Sequence, residues 1–127
     1  MKSKQLVYIS HPYGGNPENA KDIEKVIRHL YADERLYNNY CFVSPVHAFG
    51  FMYETEEYYR GLQMCIDLLA GCDQMLLIGE WETSKGCTGE KAYCDNNNIP
   101  YTMIRTSEEL THTSYDKILE ILNSKKG

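Results

Sequence analysis

Short apolar runs alternate with amphipathic stretches along the whole chain. Leu6-Val7-Tyr8-Ile9-Ser10 is rich in β-formers and stops at His11-Pro12-Tyr13-Gly14-Gly15, which predicts a buried first strand running into a loop. Asn16-Pro17-Glu18 then supplies a cap, a proline at the first helical position and an acid in the first turn. Ala20, Ile23, Val26, Ile27, Leu30 and Tyr31 follow at helical spacing. A second strand is predicted at Cys41-Phe42-Val43-Ser44-Pro45. After a loop, Thr55-Glu56-Glu57 opens a helix with Tyr59, Leu62, Ile66 and Leu69 on one face and Gly71 as its stop. Asp73-Gln74-Met75-Leu76-Leu77-Ile78-Gly79 is apolar enough for a central strand covered on both faces. A loop at residues 83–86, a helix through about Cys94, a turn at Asn96-Asn97-Asn98 and a fourth strand, Tyr101-Thr102-Met103-Ile104, come next. Ser114 caps a last helix with Tyr115, Ile118, Leu119 and Leu122 inward. Strands alternating with helices give a parallel sheet with right-handed crossovers. The expected fold is a single three-layer α/β domain with a flavodoxin- or Rossmann-like sheet of four strands and helices on both faces. After Arg105 there is room for no more than a very short fifth strand.

Composition narrows this picture. A chain of 127 residues, 43% hydrophobic and 24% charged, closes one core and not two. No apolar run approaches the ~18 residues of a membrane span, and Met1-Lys2-Ser3-Lys4 leads into a strand rather than a signal segment, so a soluble, cytoplasmic protein is expected. The formal charge of −5, without a basic cluster, leaves no electrostatic footprint for a nucleic acid duplex. A small-molecule ligand fits better. The five cysteines contain no C-x-x-C pair, which argues against a disulfide framework or zinc clip and for buried, reduced thiols. Tyrosine is the unusual component, with 11 residues against 3 Phe and 1 Trp. These rings either pack at core and interface rims or build a pocket that stacks on flat ligands.

In parallel sheets of this kind ligands bind outside the carboxyl ends of the strands, where the strand order reverses. This selects the loops at residues 11–16, 47–54 and 80–86. Pro12-Tyr13-Gly14-Gly15-Asn16 allows close backbone approach and leads to a helix start suited to an anion, although Gly-Gly before a helix is also simply a turn. It has neither G-x-G-x-x-G nor Walker spacing, so no dinucleotide or ATP is expected. Ser84-x-Gly86-x-x-x-Glu90 places a hydroxyl and a glycine at a helix mouth and a carboxylate one turn further in. There the macrodipole favours the ionised form, as a nucleophile or an oxocarbenium partner requires; a dipole-matching surface glutamate has the same spacing. His11 and His47 follow the first two strands and either face the pocket or act as hydrogen-bonders at its rim; no third ligand at metal spacing joins them, and no metal is expected. Asp73, at the amino end of its strand, reads as structural. Trp81 either walls a base or covers a loop.

The ordered set Val7-Tyr8-Ile9-Ser10, Pro12-Tyr13-Gly14-Gly15, Ser44-Pro45, Leu69-Ala70-Gly71-Cys72-Asp73, Ser84-Lys85-Gly86-Cys87-Thr88-Gly89-Glu90-Lys91-Ala92 and Asn98-Ile99-Pro100 resembles the nucleoside 2-deoxyribosyltransferase superfamily, and most of all its short, phage- or prophage-linked branch. The likeness runs from about residue 5 to residue 104, and its specific part is the serine–glycine–glutamate motif. It implies that Glu90 attacks C1′ of the sugar to form a covalent glycosyl-enzyme, passed to another base or to water with net retention, and that Tyr8 orients this carboxylate. The residue six positions before the glutamate handles the sugar's 5′ end, with an acid in free-nucleoside transferases and a serine in relatives acting on 5′-monophosphates. The expected substrate is a (deoxy)nucleoside or its 5′-monophosphate, and Ser84 favours the monophosphate. The expected catalytic residues are Glu90 and Tyr8, and the expected substrate-binding residues are Ser10, Tyr13, Gly14, Gly15, Ser84, Lys85 and Gly86. No cofactor is expected.

One position departs from the pattern. Where the family carries an aspartate for the leaving base, eight residues before Asp73, this chain has Cys65, a poor general acid. Asp67 points away from it on a helix and reads as a solvated charge; Glu54, Glu56, Glu57, Glu80 and Glu82 at the carboxyl-end rim are better candidates, although each taken singly reads as a solvated acid. The alternative expectation is a catalytically silent nucleotide-binding module of the same fold; a general phosphate binder would leave Glu90 without a role. Relatives complete their sites with a neighbouring subunit, which implies a homodimer or higher homo-oligomer. Tyr8, Tyr13, Tyr53, Tyr58 and Tyr59 are the pocket or subunit-rim tyrosines; Tyr31, Tyr93, Tyr101 and Tyr115 are read as packing residues, and Tyr37 and Tyr40 as bracketing a turn.

Overall fold

A computed structural model describes residues 4–125, so the Met1-Lys2-Ser3 stretch considered above lies outside the described residues. The order of elements is β1 (Gln5–Ser10), α1 (Pro17–Tyr31), α2 (Glu34–Asn39), β2 (Tyr40–Val43), α3 (Pro45–Phe49), α4 (Tyr58–Ala70), β3 (Gln74–Ile78), α5 (Lys85–Asn97), β4 (Tyr101–Ile104), α6 (Ser107–Thr111) and α7 (Tyr115–Ser124). The four strands form one all-parallel sheet in the order β2-β1-β3-β4, with Val7 opposite Phe42, Ile9 opposite Leu76 and Leu76 opposite Thr102. This is a three-layer, Rossmann-like α/β fold. Among the described residues no strand follows β4; the chain after it forms α6 and α7. None of the described helices is long and apolar enough to cross a membrane.

The two-residue period of β1 sorts the layers. Val7 and Ile9 point to one face, where they meet Ile23, Val26 and Leu30 of α1, Leu36 of α2, Leu110 of α6 and Ile118 and Leu122 of α7. Tyr8 points to the other, with Met75 and Leu77 of β3, Leu69 of α4 and Cys87 and Cys94 of α5. Ser10, two residues beyond Tyr8, therefore meets α5 at the carboxyl end of the sheet. The amino end is tied differently: the Asp73 carboxylate accepts the Leu6 backbone N–H at 2.7 Å, the structural part read from its position.

Local chemistry explains where the elements depart from the sequence pattern. Ser44-Pro45 ends no strand; Ser44 is the N-cap of α3, accepting the His47 N–H at 3.3 Å, and Pro45 takes the first helical position. Thr55-Glu56-Glu57 is a turn rather than a capping segment, because Thr55 Oγ1 accepts the Glu57 N–H and α4 starts at Tyr58 without a side-chain cap. Asp33 caps the unanticipated α2 by accepting the Arg35 and Leu36 N–H groups. Tyr31 and Tyr59 are 45% and 69% exposed and lie outside the core, whereas Tyr40 opens β2 and is buried. Cys72, Cys87 and Cys94 are buried and Cys65 half-buried, but Cys41 is exposed.

Candidate active site

The site forms where β1 and β3 deliver their carboxyl ends on either side of the reversal in strand order. Ser84 caps α5, its Oγ accepting the Cys87 N–H at 3.2 Å. Cys87, Glu90 and Cys94, at helical spacing, then turn one stripe of α5 onto the sheet. This buries a glutamate among apolar neighbours; Glu90 is 6% exposed. Both of its oxygens have partners. Oε2 accepts the Tyr8 hydroxyl, and Oε1 accepts Ser10 Oγ at 2.7 Å, with Cys87 Sγ 3.3 Å from the same Ser10 oxygen.

Loss of water pushes the Glu90 carboxyl up to about 7, against the opposing pull of the Ser10 and Tyr8 hydroxyls. The helix start does not keep this group fully ionised, because Glu90 lies beyond the first turn, where the macrodipole fades. Burial and the neighbouring carboxylate push the Tyr8 phenol well above its ordinary range, so Tyr8 stays protonated and remains a donor. Cys65 lies against Tyr8. Burial first and Glu90 second push its thiol up to about 11. Burial likewise raises Cys87.

Above Glu90 opens a cleft of about 390 Å³, within the range of small-molecule pockets. Its walls bring together Tyr13 and Gly14 after β1, Tyr53 and Tyr58 before and at the start of α4, Cys65 further along α4, and Ser84, Lys85 and Gly86 at the start of α5. The tyrosines form a run of edge contacts, with ring centroids 5.5 Å apart for Tyr13 and Tyr53, 5.2 Å for Tyr53 and Tyr58, and 5.2 Å for Tyr58 and Tyr59. Lys85 closes the run, with Nζ 4.9 Å from the Tyr59 ring centre and 3.3 Å from its hydroxyl. Gly14 and Gly15 have φ of +61° and +74°. A Cβ at Gly15 would also come within 3.1 Å of both the Tyr53 ring and Glu54 Oε1, so glycine lets the two loops meet.

Several expected site residues lie elsewhere. Ser10 is fully buried beside Glu90 and does not line the cleft; Gly15 supports Tyr53 from behind. His47 turns away, with Nε2 2.9 Å from Glu24 and Nδ1 2.7 Å from Ser44 Oγ. His11 does line the cleft, but Nδ1 is 2.6 Å from the Pro12 carbonyl oxygen and Nε2 is 3.2 Å from Ser107 Oγ. Trp81 packs against the α4–α5 core layer, under Lys91, instead of walling the cleft. Glu90 is the one carboxylate on the wall among the described residues; none of Glu54, Glu56, Glu57, Glu80, Glu82 and Asp67 lines it. Asp67 accepts from Gln63 along α4 instead. No group of three His, Cys, Asp or Glu among the described residues could hold a metal ion. The sequence reading missed Cys87, which its place three residues before Glu90 puts on the same helical face. It also missed Asn19, whose Nδ2 donates to the Tyr13 carbonyl at 2.8 Å and anchors that loop.

Fold and site together define a Rossmann-like α/β protein with one buried carboxyl group at the floor of its switch-point cleft. Within that class the chain belongs to the family described as a domain of unknown function, DUF7768, which matches residues 5–104. No curated protein matches the chain.

Proposed function

We propose that the protein is a nucleoside 2-deoxyribosyltransferase-like enzyme that cleaves or exchanges the N-glycosidic bond of a nucleoside 5′-monophosphate through Glu90. The observation that carries this reading is Glu90 itself, buried below an aromatic-walled cleft with a hydroxyl donor on each carboxylate oxygen. Such a carboxylate can attack C1′ as the C1′–N bond breaks, giving a glycosyl ester that a second base or water resolves with net retention. Tyr8 and Ser10 orient the attacking oxygens. They also stabilise the carboxylate as it departs in the second step.

The start of α5 supports a phosphate at the 5′ end. The Ser84 oxygen serves as an acceptor in the cap, leaving its O–H proton to donate, and the first N–H groups of a helix have no acceptor within it. Lys85 adds a positive charge on the same wall. A homodimer or larger assembly belongs to the same reading, supported by Phe51 and Tyr59, 76% and 69% exposed. Sedimentation velocity checks it.

The decisive assay follows base release and base exchange over a panel of nucleosides and 5′-monophosphates, with intact-mass analysis after acid quenching in the presence of a 2′-fluoro substrate analogue. Turnover and a glycosyl adduct on Glu90, both lost in Glu90→Gln, are expected. An active Glu90→Gln overturns the nucleophile. The second reading, a nucleotide-binding module without turnover, is favoured by Cys65, whose tightly held proton makes a poor acid for a departing base. Its mark is nucleotide binding that Glu90→Gln leaves intact and no turnover with any substrate.

A further inference from the structure

We propose that the base displaced at Glu90 is joined to C1′ through a positively charged ring nitrogen, so that the substrate is an N-ribosyl- or N-deoxyribosylpyridinium 5′-phosphate. This rests on the reading of Glu90 as the nucleophile and extends it to the other side of the breaking bond.

An ordinary purine or pyrimidine leaves as an anion unless an acid protonates it. Among the described residues the cleft wall has no second carboxyl group to act as that acid: its one carboxylate is the nucleophile, the thiol of Cys65 is held protonated against Tyr8, and Tyr13, Tyr53 and Tyr58 offer only phenols, a weak class of acid. His11 has both ring nitrogens occupied. A carbonyl can only accept, so Nδ1 donates to Pro12, and Nε2 is engaged by Ser107 Oγ at 3.2 Å. Lys85 lies at the phosphate end against Tyr59.

A quaternary nitrogen removes the need for an acid. As the C1′–N bond breaks, its electron pair neutralises the ring, and a Glu90 oxygen forms the new bond to C1′. Water then attacks C1′, the ester bond returns its pair to Glu90, and the water proton goes to solvent. The sum is one pyridine, one free sugar phosphate and one proton per turnover, with no other reactant. The walls suit a cation as well, since the rings of Tyr13, Tyr53 and Tyr58 present π-electrons and Glu90 a negative charge.

The test compares kcat/KM for nicotinamide mononucleotide with that for AMP, CMP and their 2′-deoxy forms, and counts protons released in weakly buffered solution. General acid catalysis is worth roughly 10²–10⁴-fold, so an advantage of at least about 100-fold for the pyridinium substrate is expected, with one proton released for each base. A smaller ratio overturns the inference. If neutral nucleotides turn over well and Glu90→Gln abolishes it, the enzyme reading stands and an acid reaches the base from elsewhere, such as a second copy of the chain. If neither class is cleaved and no adduct forms on Glu90, both readings fall.

Discussion

A carboxyl group moved from water into an apolar floor keeps its proton to higher pH, and in Glu90 this sets stability against chemistry. Its pKa rises from 4.5 to about 7. Between these values the unfolded chain has lost the proton and the native state still holds it, so unfolding releases a proton and stability falls as pH rises. The contribution is complete below about pH 4.5 and lost as pH passes through 7; the difference is on the order of 3 kcal/mol. Glu90→Gln keeps the shape and removes the charge. Thermal unfolding should therefore show this variant more stable than the parent at pH 8, with the gap closing towards pH 5. An equal gap at both values would show that burial of the charge is not the cause. Turnover needs the ionised form and should rise with pH through about 7. Tyr8→Phe removes a donor that favours the carboxylate, so its inflection should move to higher pH, with kcat at pH 7 falling on the order of tenfold to a hundredfold. An unmoved inflection would assign Tyr8 to packing alone.

Among the elements, α5 shows how much of the site was legible in the chain and how much was not. The Ser84-x-Gly86-x-x-x-Glu90 spacing marks a capped helix, because a serine oxygen three residues before Cys87 is a local feature. That Glu90 faces the sheet rather than solvent is also nearly local, through the Cys87–Glu90–Cys94 stripe. Ser10 is expected with the substrate from the family resemblance, yet whether it meets ligand or helix depends on how α5 crosses the sheet, which no local pattern carries. For His47, α3 stands where a loop is expected and delivers its ring to Glu24 of α1, which settles it as a hydrogen-bonding rim residue rather than a pocket one. Ser84→Ala should cost about 1 kcal/mol through the lost cap and also raise KM for a monophosphate. Ser84→Asp keeps a capping acceptor but adds a negative charge to the proposed phosphate site. It should hold the melting temperature near the parent's while shifting preference from monophosphate to free nucleoside, and unchanged preference would remove Ser84 from the 5′ end.

At the scale of the molecule the two ends of the sheet carry different loads. The all-parallel order β2-β1-β3-β4 puts every loop of the cleft at the carboxyl end, while the amino end is closed by links such as Asp73 to the Leu6 backbone. This division follows from parallel strands and was legible from the alternation of elements alone, and with it much of the tyrosine excess, since Tyr13, Tyr53 and Tyr58 stand in or beside the loops that the division selects. Tyr13, Tyr53 and Tyr58 reach the cleft, whereas Tyr40 opens a strand in the core and Tyr37 is exposed. The division predicts opposite outcomes for two acidic residues. Asp73→Ala removes the acceptor of a part-buried N–H and should cost roughly 1–3 kcal/mol, seen as a lower melting temperature, with kcat/KM unchanged at a temperature where the variant is folded. Glu90→Gln should do the reverse above pH 7, raising the melting temperature and abolishing turnover. Loss of activity in folded Asp73→Ala would mean that strain at the amino end reaches Tyr8 along β1, whose amide bonds run from Leu6 to the residue that holds Glu90.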